Sequence, residues 1–343
     1  MAEVINSDLY KEYFNVFCQL SQKYKTDRIV ILYQIGDFYE IYGPEDYMYK
    51  ICYQTLDINS RKITTETNVY TGGFPIKAIK KYSKLLTFNE YLVVICDQAD
   101  SPDKKNKKIR VVSEIQTVAT TMDEEVLGND SKLLMSIYLE YEDGVLSETS
   151  ICYMDASTGS ISCITDGISS YSEILRIIKK LSPKQIIVNT EDCKLSQTQL
   201  SELLSLDGKL THIYINEVDK MIKKIAYVNI FLKAFYPQKL VPQAEYLGID
   251  KYPSLITSFI LMLTFVNEFN KIVLSKLQRP KLESYGNQLT LSDNAIEQLN
   301  LIDESNEHSL FKIINKTLTP GGRRSLKTQL LNHIIDPEKL KER

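Results

Sequence analysis

The chain has 343 residues, 43% of them hydrophobic and 25% charged, with a formal net charge of −3. That length exceeds one ordinary domain and fits two or three, and the composition is that of a soluble globular protein. So small a net charge gives no overall attraction to nucleic acid, so any contact of that kind must come from local patches. The six cysteines (Cys18, Cys52, Cys96, Cys152, Cys163 and Cys193) form no C-x-x-C pair. They predict reduced core thiols in an intracellular, reducing compartment, with neither a disulfide framework nor a zinc site. No basic-then-apolar leader is visible at the start.

In chain order, the spacing of Leu9, Tyr13, Phe14, Val16, Phe17 and Leu20 predicts an amphipathic helix over 8–24, capped by Ser7 or Asp8. Ile29-Val30-Ile31-Leu32-Tyr33 reads as a buried strand. Gly36 predicts a bulge or bend, after which Phe38-Tyr39-Glu40-Ile41 is extended. Side chains two apart share a face, so Phe38 and Glu40 point one way and Tyr39 and Ile41 face the core. Pro44 opens a second helix through Thr55. A strand running into a loop covers 56–62, a turn covers Gly72-Gly73-Phe74-Pro75, and a helix covers 76–86. Strands over 91–96 and 110–115 flank the basic loop containing Lys104, Lys105, Lys107 and Lys108, closing a first domain, 1–122.

The acidic segment 123–130 marks the boundary. Strands at 133–140, 151–155 and 160–165, with a turn at Asp143-Gly144, precede alternating helices and strands at 171–181, 185–188, 198–206 and 212–215. Long helices follow at 218–235 and 254–274. The greasiest run, 255–266, is too short to span a bilayer and predicts a buried helix, so no membrane partner is expected. This second domain, 123–279, reads as a mixed sheet with covering helices. From Pro280 the pattern becomes helical only, with helices through Leu301, at 310–315 and to about Asn332, punctuated at Thr319 to Arg324. Asp336-Pro337-Glu338 announces another. This region, 280–343, reads as the truncated start of an all-α domain.

Several blocks together resemble MutS-type DNA mismatch repair proteins. Gly36-Asp37-Phe38-Tyr39-Glu40 resembles the family's Phe-x-Glu reader. Gly73-Phe74-Pro75 and Cys96-Asp97-Gln98 resemble its Gly-x-Pro turn and Cys-x-Gln strand end. Leu310-Phe311, Thr317, Thr319-Pro320, Gly322 and Arg324 resemble the opening of its core. Thr117 to Asp123 lacks the family's usual Pro-Gly. The resemblance implies an α/β multidomain chain: a mixed α/β mismatch-binding domain, an RNase H-like connector and the start of a helical core. It implies that Phe38 and Glu40 bind mismatched DNA and that Arg61 and Lys62 contact the DNA backbone; the charge of Lys104, Lys105, Lys107 and Lys108 separately suits phosphate contact, with a solvated loop as the alternative. It also implies double-stranded DNA with mismatches or small loops as partner, a homodimer of the complete protein, and a repair protein docking on the connector. ATP and Mg belong to the complete family protein. No G-x-x-x-x-G-K-[ST] occurs here, so no enzyme activity or cofactor is expected of this chain.

The chemistry suits that task. A mispaired site is poorly stacked, so an aromatic wedge enters it at least cost and stacks on one base. A carboxylate beside it is repelled by intact duplex and compensated only where a displaced base offers a hydrogen bond. Two rival readings stand beside this one. Asp155 ends a strand where RNase H-like nucleases keep a metal-binding Asp, with Glu173, Glu191 and Asp192 as further carboxylates, although a strand-ending turn residue accounts for it better. Alternatively, a relative without mismatch reading would serve as a scaffold.

Overall fold

The computed structural model describes residues 2–63, 68–100, 108–118, 133–206, 208–237, 240–269, 271–284, 288–289, 295, 298–302, 308–331, 333–334 and 337–342. The chain divides into two compact units. The first comprises residues 1–121 with 184–186 and 208–213, and the second comprises the remainder. The chain is mixed α/β, with two six-stranded sheets and a two-stranded one among the described residues.

The first unit is built on six strands: β1 (Ile29–Ile35), β2 (Phe38–Gly43), β3 (Ser60–Lys62), β4 (Tyr70–Pro75), β5 (Leu92–Asp100) and β6 (Lys108–Gln116), in the order β3-β4-β2-β1-β5-β6. β1 and β5 run parallel, and the other neighbours are antiparallel. Helix α1 (Ala2–Tyr24) lays the fully buried Tyr13 edge-on against Tyr33 and Tyr42 on one face. The helix passes through Ser7 and Asp8 without a break, so neither caps it. The other face is covered by α2 (Glu45–Met48), continued as a π-helical stretch Tyr49–Leu56, and by α3 (Ile79–Phe88). Val30, Leu32, Tyr39, Ile41, Met48, Ile51, Cys52, Phe74 and Leu86 form the core there.

Three expectations in this unit change. Gly36 does not bulge a continuous strand. It takes φ +58° in the two-residue turn that reverses β1 into β2, where glycine reaches a conformation costly for other residues. Leu56 belongs to the preceding helix, and only 60–62 form a strand. Gly72 and Gly73 lie within β4, not in a turn. Their value is clearance: a Cβ on Gly72 would stand 2.6 Å from Cys52 Sγ, and one on Gly73 2.7 Å from the Tyr39 carbonyl oxygen. Lys104, Lys105 and Lys107 lie outside the described residues, as does most of the helix expected before Leu301.

The second sheet contains β7 (Leu133–Glu142), β8 (Val145–Asp155), β9 (Ser160–Ile168), β10 (Gln185–Glu191), β11 (Leu210–Ile215) and β12 (Lys281–Glu283), ordered β11-β10-β7-β8-β9-β12. Asp143 and Gly144, both with positive φ, make the expected tight turn between β7 and β8. The expected helix at 171–181 is α4 (Tyr171–Leu181), started by Ser170, whose hydroxyl accepts the Glu173 amide. α5 (Gln197–Leu203) opens with a capping box from Ser196 and Gln199. The apolar run is the buried helix α8 (Pro253–Phe269), preceded by α6 (Ile225–Lys233) and α7 (Gln243–Leu247). Ser258 of α8 and Ser136 of β7 exchange hydroxyl-to-carbonyl bonds of 3.0 and 3.1 Å. Among the described residues no helix is long and apolar enough to cross a membrane.

Here too the sequence pattern misleads in places. The long helix over 218–235 is interrupted at Lys224, which is extended. Ile222 and Val228 are buried on either side, so apolar spacing runs straight through the break. Residues after 280 are not helical only. β12 pairs parallel with β9, and Gln288–Leu289 pairs with His333–Ile334. Such short strands carry too few residues to display a period of two. The break expected at Thr319 to Arg324 does separate Leu310–Ile314 from a third helix, Pro320–Leu331, but that helix starts earlier than expected, Thr319 capping it by accepting the Gly322 amide.

His212, fully buried in the first unit, gives a pH test. Its Nδ1 donates to the Tyr24 carbonyl oxygen at 2.6 Å, leaving Nε2 to accept from Gln185 Nε2 at 2.9 Å. Burial pulls the imidazole down to about 4, partly opposed by the Tyr24 bond. The unfolded chain therefore takes up a proton below pH 6.5 that the folded chain refuses until about pH 4. Stability should be complete above pH 6.5 and fall by on the order of 3 kcal/mol towards pH 4, with no further loss from this group below it. Chemical unfolding at a series of pH values, compared with His212→Gln, should show that component disappear in the variant.

Candidate functional site

The Gly36-Asp37 turn closes the hairpin on the register Tyr33↔Glu40, Gln34↔Tyr39 and Ile35↔Phe38. Along β2 the pleat then alternates as expected: Phe38 is 48% exposed, Tyr39 5%, Glu40 half-buried and Ile41 fully buried. Phe38 and Glu40 thus share one face beside the turn. Tyr39 is anchored on the other, where its hydroxyl donates to Asp97 Oδ1 at 2.5 Å. Burial, followed by that bond, raises the Tyr39 hydroxyl well above its ordinary range, keeping it a donor.

Four hydrogen bonds fix the turn. The Gly36 amide donates to Gln98 Oε1 at 3.1 Å, and the Gln98 amide donates to Gln34 Oε1 at 2.8 Å. Gln34 Nε2 returns to the Gly36 carbonyl at 3.2 Å, and Ile76 N donates to the Asp37 carbonyl at 2.9 Å. A floppy aromatic at a hairpin tip would lose affinity to ordering entropy; these bonds remove much of that loss before anything binds.

Glu40 stands opposite Gly73 across β4. A Cβ on Gly73 would lie 3.2 Å from Glu40 Cγ, so glycine keeps space open beside the carboxylate. Tyr42 donates to Glu40 Oε2 through a short hydrogen bond, and among the described residues no other hydrogen-bond partner of that carboxylate occurs. Positive charge shares the face. Register carries the line Tyr42↔Thr71↔Arg61, so Arg61 points to the Glu40 side and Lys62 to the reverse. Arg110, opposite Gln98, donates to the Gln34 carbonyl and lies over the Tyr33 ring at 5.5 Å. Lys108, two residues before it, is exposed on that face.

Asp155 ends β8 as a turn residue. Its Oδ1 accepts from Ser157 N at 2.9 Å and Ser157 Oγ at 2.5 Å, and its carbonyl accepts from Gly159 N. Glu191 is paired with Lys223 at 2.5 Å and accepts from Tyr138. Burial pushes the Glu191 carboxyl up, but the Lys223 and Tyr138 bonds outweigh it and set it below the usual range. Among the described residues no group of three or more His, Cys, Asp or Glu is arranged to hold a metal ion.

Residues 13–125 match the family described as MutS domain I. Over 95% of its length the chain is 23% identical to the DNA mismatch repair protein MutS of Clostridium kluyveri, covering 36% of that protein. It is 25% identical to MutS of Thermosipho melanesiensis over 98% of this chain and 36% of that one. A mutS homolog of Acanthamoeba polyphaga mimivirus is 25% identical over 96% of this chain and 33% of its own length. Residues 13–125 are therefore similar to MutS domain I, and almost the whole chain is similar to the N-terminal part of MutS proteins. The chain spans about a third of the length of these MutS relatives. Among solved structures, the fowlpox virus Holliday junction resolvase aligns with 40% of this chain and 99% of its own at 10% identity and a TM-score of 0.28, too low to carry an argument.

The stretch matching MutS domain I contains Phe38, Glu40, Arg61, Lys62 and the basic cluster together. The same stretch contains Gln34, Tyr42, Asp97, Gln98 and Arg110, whose roles around Phe38, Glu40 and the Gly36 turn only the structure shows. Cys96-Asp97-Gln98 stands out as a signature in sequence, but nothing there assigns its side chains to the Gly36 turn. Substituting Gly73→Ala should destabilise the first unit by ~1–3 kcal/mol, because the new Cβ meets backbone oxygen that cannot swing away. Denaturant titration of the purified variant checks this; an unchanged midpoint would mean that β4 can shift without loss.

Proposed function

We propose that this MutS-type chain recognises mismatched or looped double-stranded DNA by inserting Phe38 at the weakly stacked site, with Glu40 beside it. The observation that carries this reading is the exposed Phe38 ring on a tethered hairpin, one residue from a buried Tyr39 and on the same face as a carboxylate. Core aromatics are not left half in water on a turn fixed by four hydrogen bonds. Deformability is what such a wedge reads, so one ring serves many mismatches. Glu40 penalises intact duplex and accepts a hydrogen bond from a displaced base.

Arg61 and Lys108, on the Phe38 face, hold phosphates in this reading, with Lys62, Lys104, Lys105 and Lys107 as further backbone contacts. Residues 1–122 are the mismatch-binding domain, 123–279 an RNase H-like connector and 280–343 the opening of a helical core. The order β11-β10-β7-β8-β9 supports the connector assignment: a three-strand meander extended beyond its first strand. That connector is a docking domain for a repair partner and not a nuclease, consistent with Asp155 serving its own turn. The chain itself is not an enzyme. ATP and Mg are used, and homodimers formed, by the complete protein in its intracellular compartment.

Phe38→Ala should leave unfolding unchanged within about 0.5 kcal/mol. It should weaken mismatch binding by ~1–3 kcal/mol, the worth of stacking one base. Glu40→Ala should raise matched-duplex affinity and shrink discrimination. Parallel titrations with matched and mismatched duplex, beside chemical unfolding, check both. A loss of ~3–5 kcal/mol of stability in Phe38→Ala would instead identify a core residue.

A further inference from the structure

Glu40 is only half of a pair. Tyr42 follows it by two residues on the same face of β2, and its hydroxyl donates to Glu40 Oε2. The Tyr42 ring is buried, 5% exposed, and held edge-on by Tyr13 at 5.1 Å between centroids. Tyr13 in turn is fully buried beneath α1, its hydroxyl directed at the Ile31 carbonyl. The Tyr42 hydroxyl is therefore fixed by packing on the helix side, and the carboxylate of the half-buried Glu40 is turned to meet it. Opposite Glu40 stands Gly73, with no side chain to hold the carboxylate from that direction. A glutamate has three rotatable side-chain bonds and little reason to keep one orientation at a half-exposed site; the buried phenol supplies that reason. Burial and the Glu40 bond both push the Tyr42 hydroxyl far above its ordinary range, so it remains a donor at any physiological pH.

We infer that Tyr42 is a positioning residue for mismatch discrimination: by occupying Glu40 Oε2, it turns a two-acceptor carboxylate into a single, oriented acceptor, Oε1, presented beside Phe38. The substrate feature that fits is one N–H donor on the edge of an unpaired base, at a fixed place relative to the stacked ring. In intact duplex the Watson–Crick donors are taken up in base pairs and no freed base edge lies at that place beside a stacked ring, so the negative charge, which Tyr42 does not remove, goes uncompensated. Loss of the phenol should accordingly weaken mismatch binding and leave matched binding alone. This inference rests on the mismatch-reading proposal for Phe38 and Glu40.

The test is Tyr42→Phe, which keeps the ring packed on Tyr13 and removes only the hydroxyl. In the 343-residue chain, mismatch affinity should fall about threefold to tenfold, the range for one hydrogen bond, with matched-duplex affinity unchanged. In a Glu40→Ala background the same substitution should change neither affinity, because nothing remains to be positioned. An equal fall in both backgrounds would make Tyr42 a merely structural residue and overturn the inference. In the DNA-free chain, the carbon resonance of the Glu40 side-chain carboxyl should move in Tyr42→Phe; an unmoved resonance also overturns it. Phe38→Ala separates the levels. Discrimination lost in Phe38→Ala but kept in Tyr42→Phe sinks only the role of Tyr42. No discrimination in the unaltered chain sinks the reading of Phe38 and Glu40, and the inference with it.

Discussion

The candidate site depends on the register of a single strand. β2 lies between β1 and β4, and a slip of one residue would move Phe38, Glu40 and Tyr42 to the face now filled by Tyr39 and Ile41 and bring those two to the face that carries Phe38. Several features resist that slip. Gly36 permits a two-residue reversal that counts the strands from a fixed origin. Ile41, Tyr39 and Phe74 fill a core with Met48 and Cys52 that would be lost wholesale. The Tyr39–Asp97 bond adds a polar lock on the buried side. Burying each large apolar side chain stabilises the fold by ~1.5–3 kcal/mol, so the core outweighs the other features. The polar locks contribute direction more than energy.

The same strand shows how one sheet can carry two chemistries. On its inner face, helices exclude water and the residues are interchangeable within limits of volume. On its outer face, α1 covers only part of the surface, with Tyr13 over Tyr33 and Tyr42. Phe38 and Glu40 lie beyond that cover. The boundary between covered and open surface falls within β2 itself, between Tyr42 and Glu40. A buried hydroxyl therefore meets a half-exposed carboxylate there, where neither extreme of solvation applies.

Much of this was legible in the sequence, for identifiable reasons. Period-two alternation from Phe38 to Ile41 gave the faces correctly, because a half-buried strand displays its period. Helix α4 and the Asp143-Gly144 turn were recoverable because their signals are local: a Ser cap, an apolar stripe, and two residues suited to positive φ. What was not legible depends on pairing between distant segments. Gly72 and Gly73 looked like turn residues, since glycine's commonest use is positive φ, whereas here it serves close approach to Cys52 and Tyr39. The β12 strand is three residues long and exists through its pairing with β9. Gln34 and Arg110 carry no motif of their own, and the signature that contains Gln98 says nothing of where its side chain goes; the β1–β5–β6 register brings all three to the Gly36 turn.

The Gly36–Gln98 bond spans 62 residues of sequence, far more than the hairpin it steadies. Forming the hairpin is a local event, on the microsecond scale, whereas pairing β5 beside β1 closes a long loop and belongs to the slower part of folding. The tip of the hairpin is thus organised after the hairpin itself, when the last large piece of the sheet arrives. A segment ending before β5 would contain Gly36 through Glu40 in full and still lack the partner that holds their turn. The five-residue motif is contiguous in the gene, but its rigidity belongs to the whole first unit.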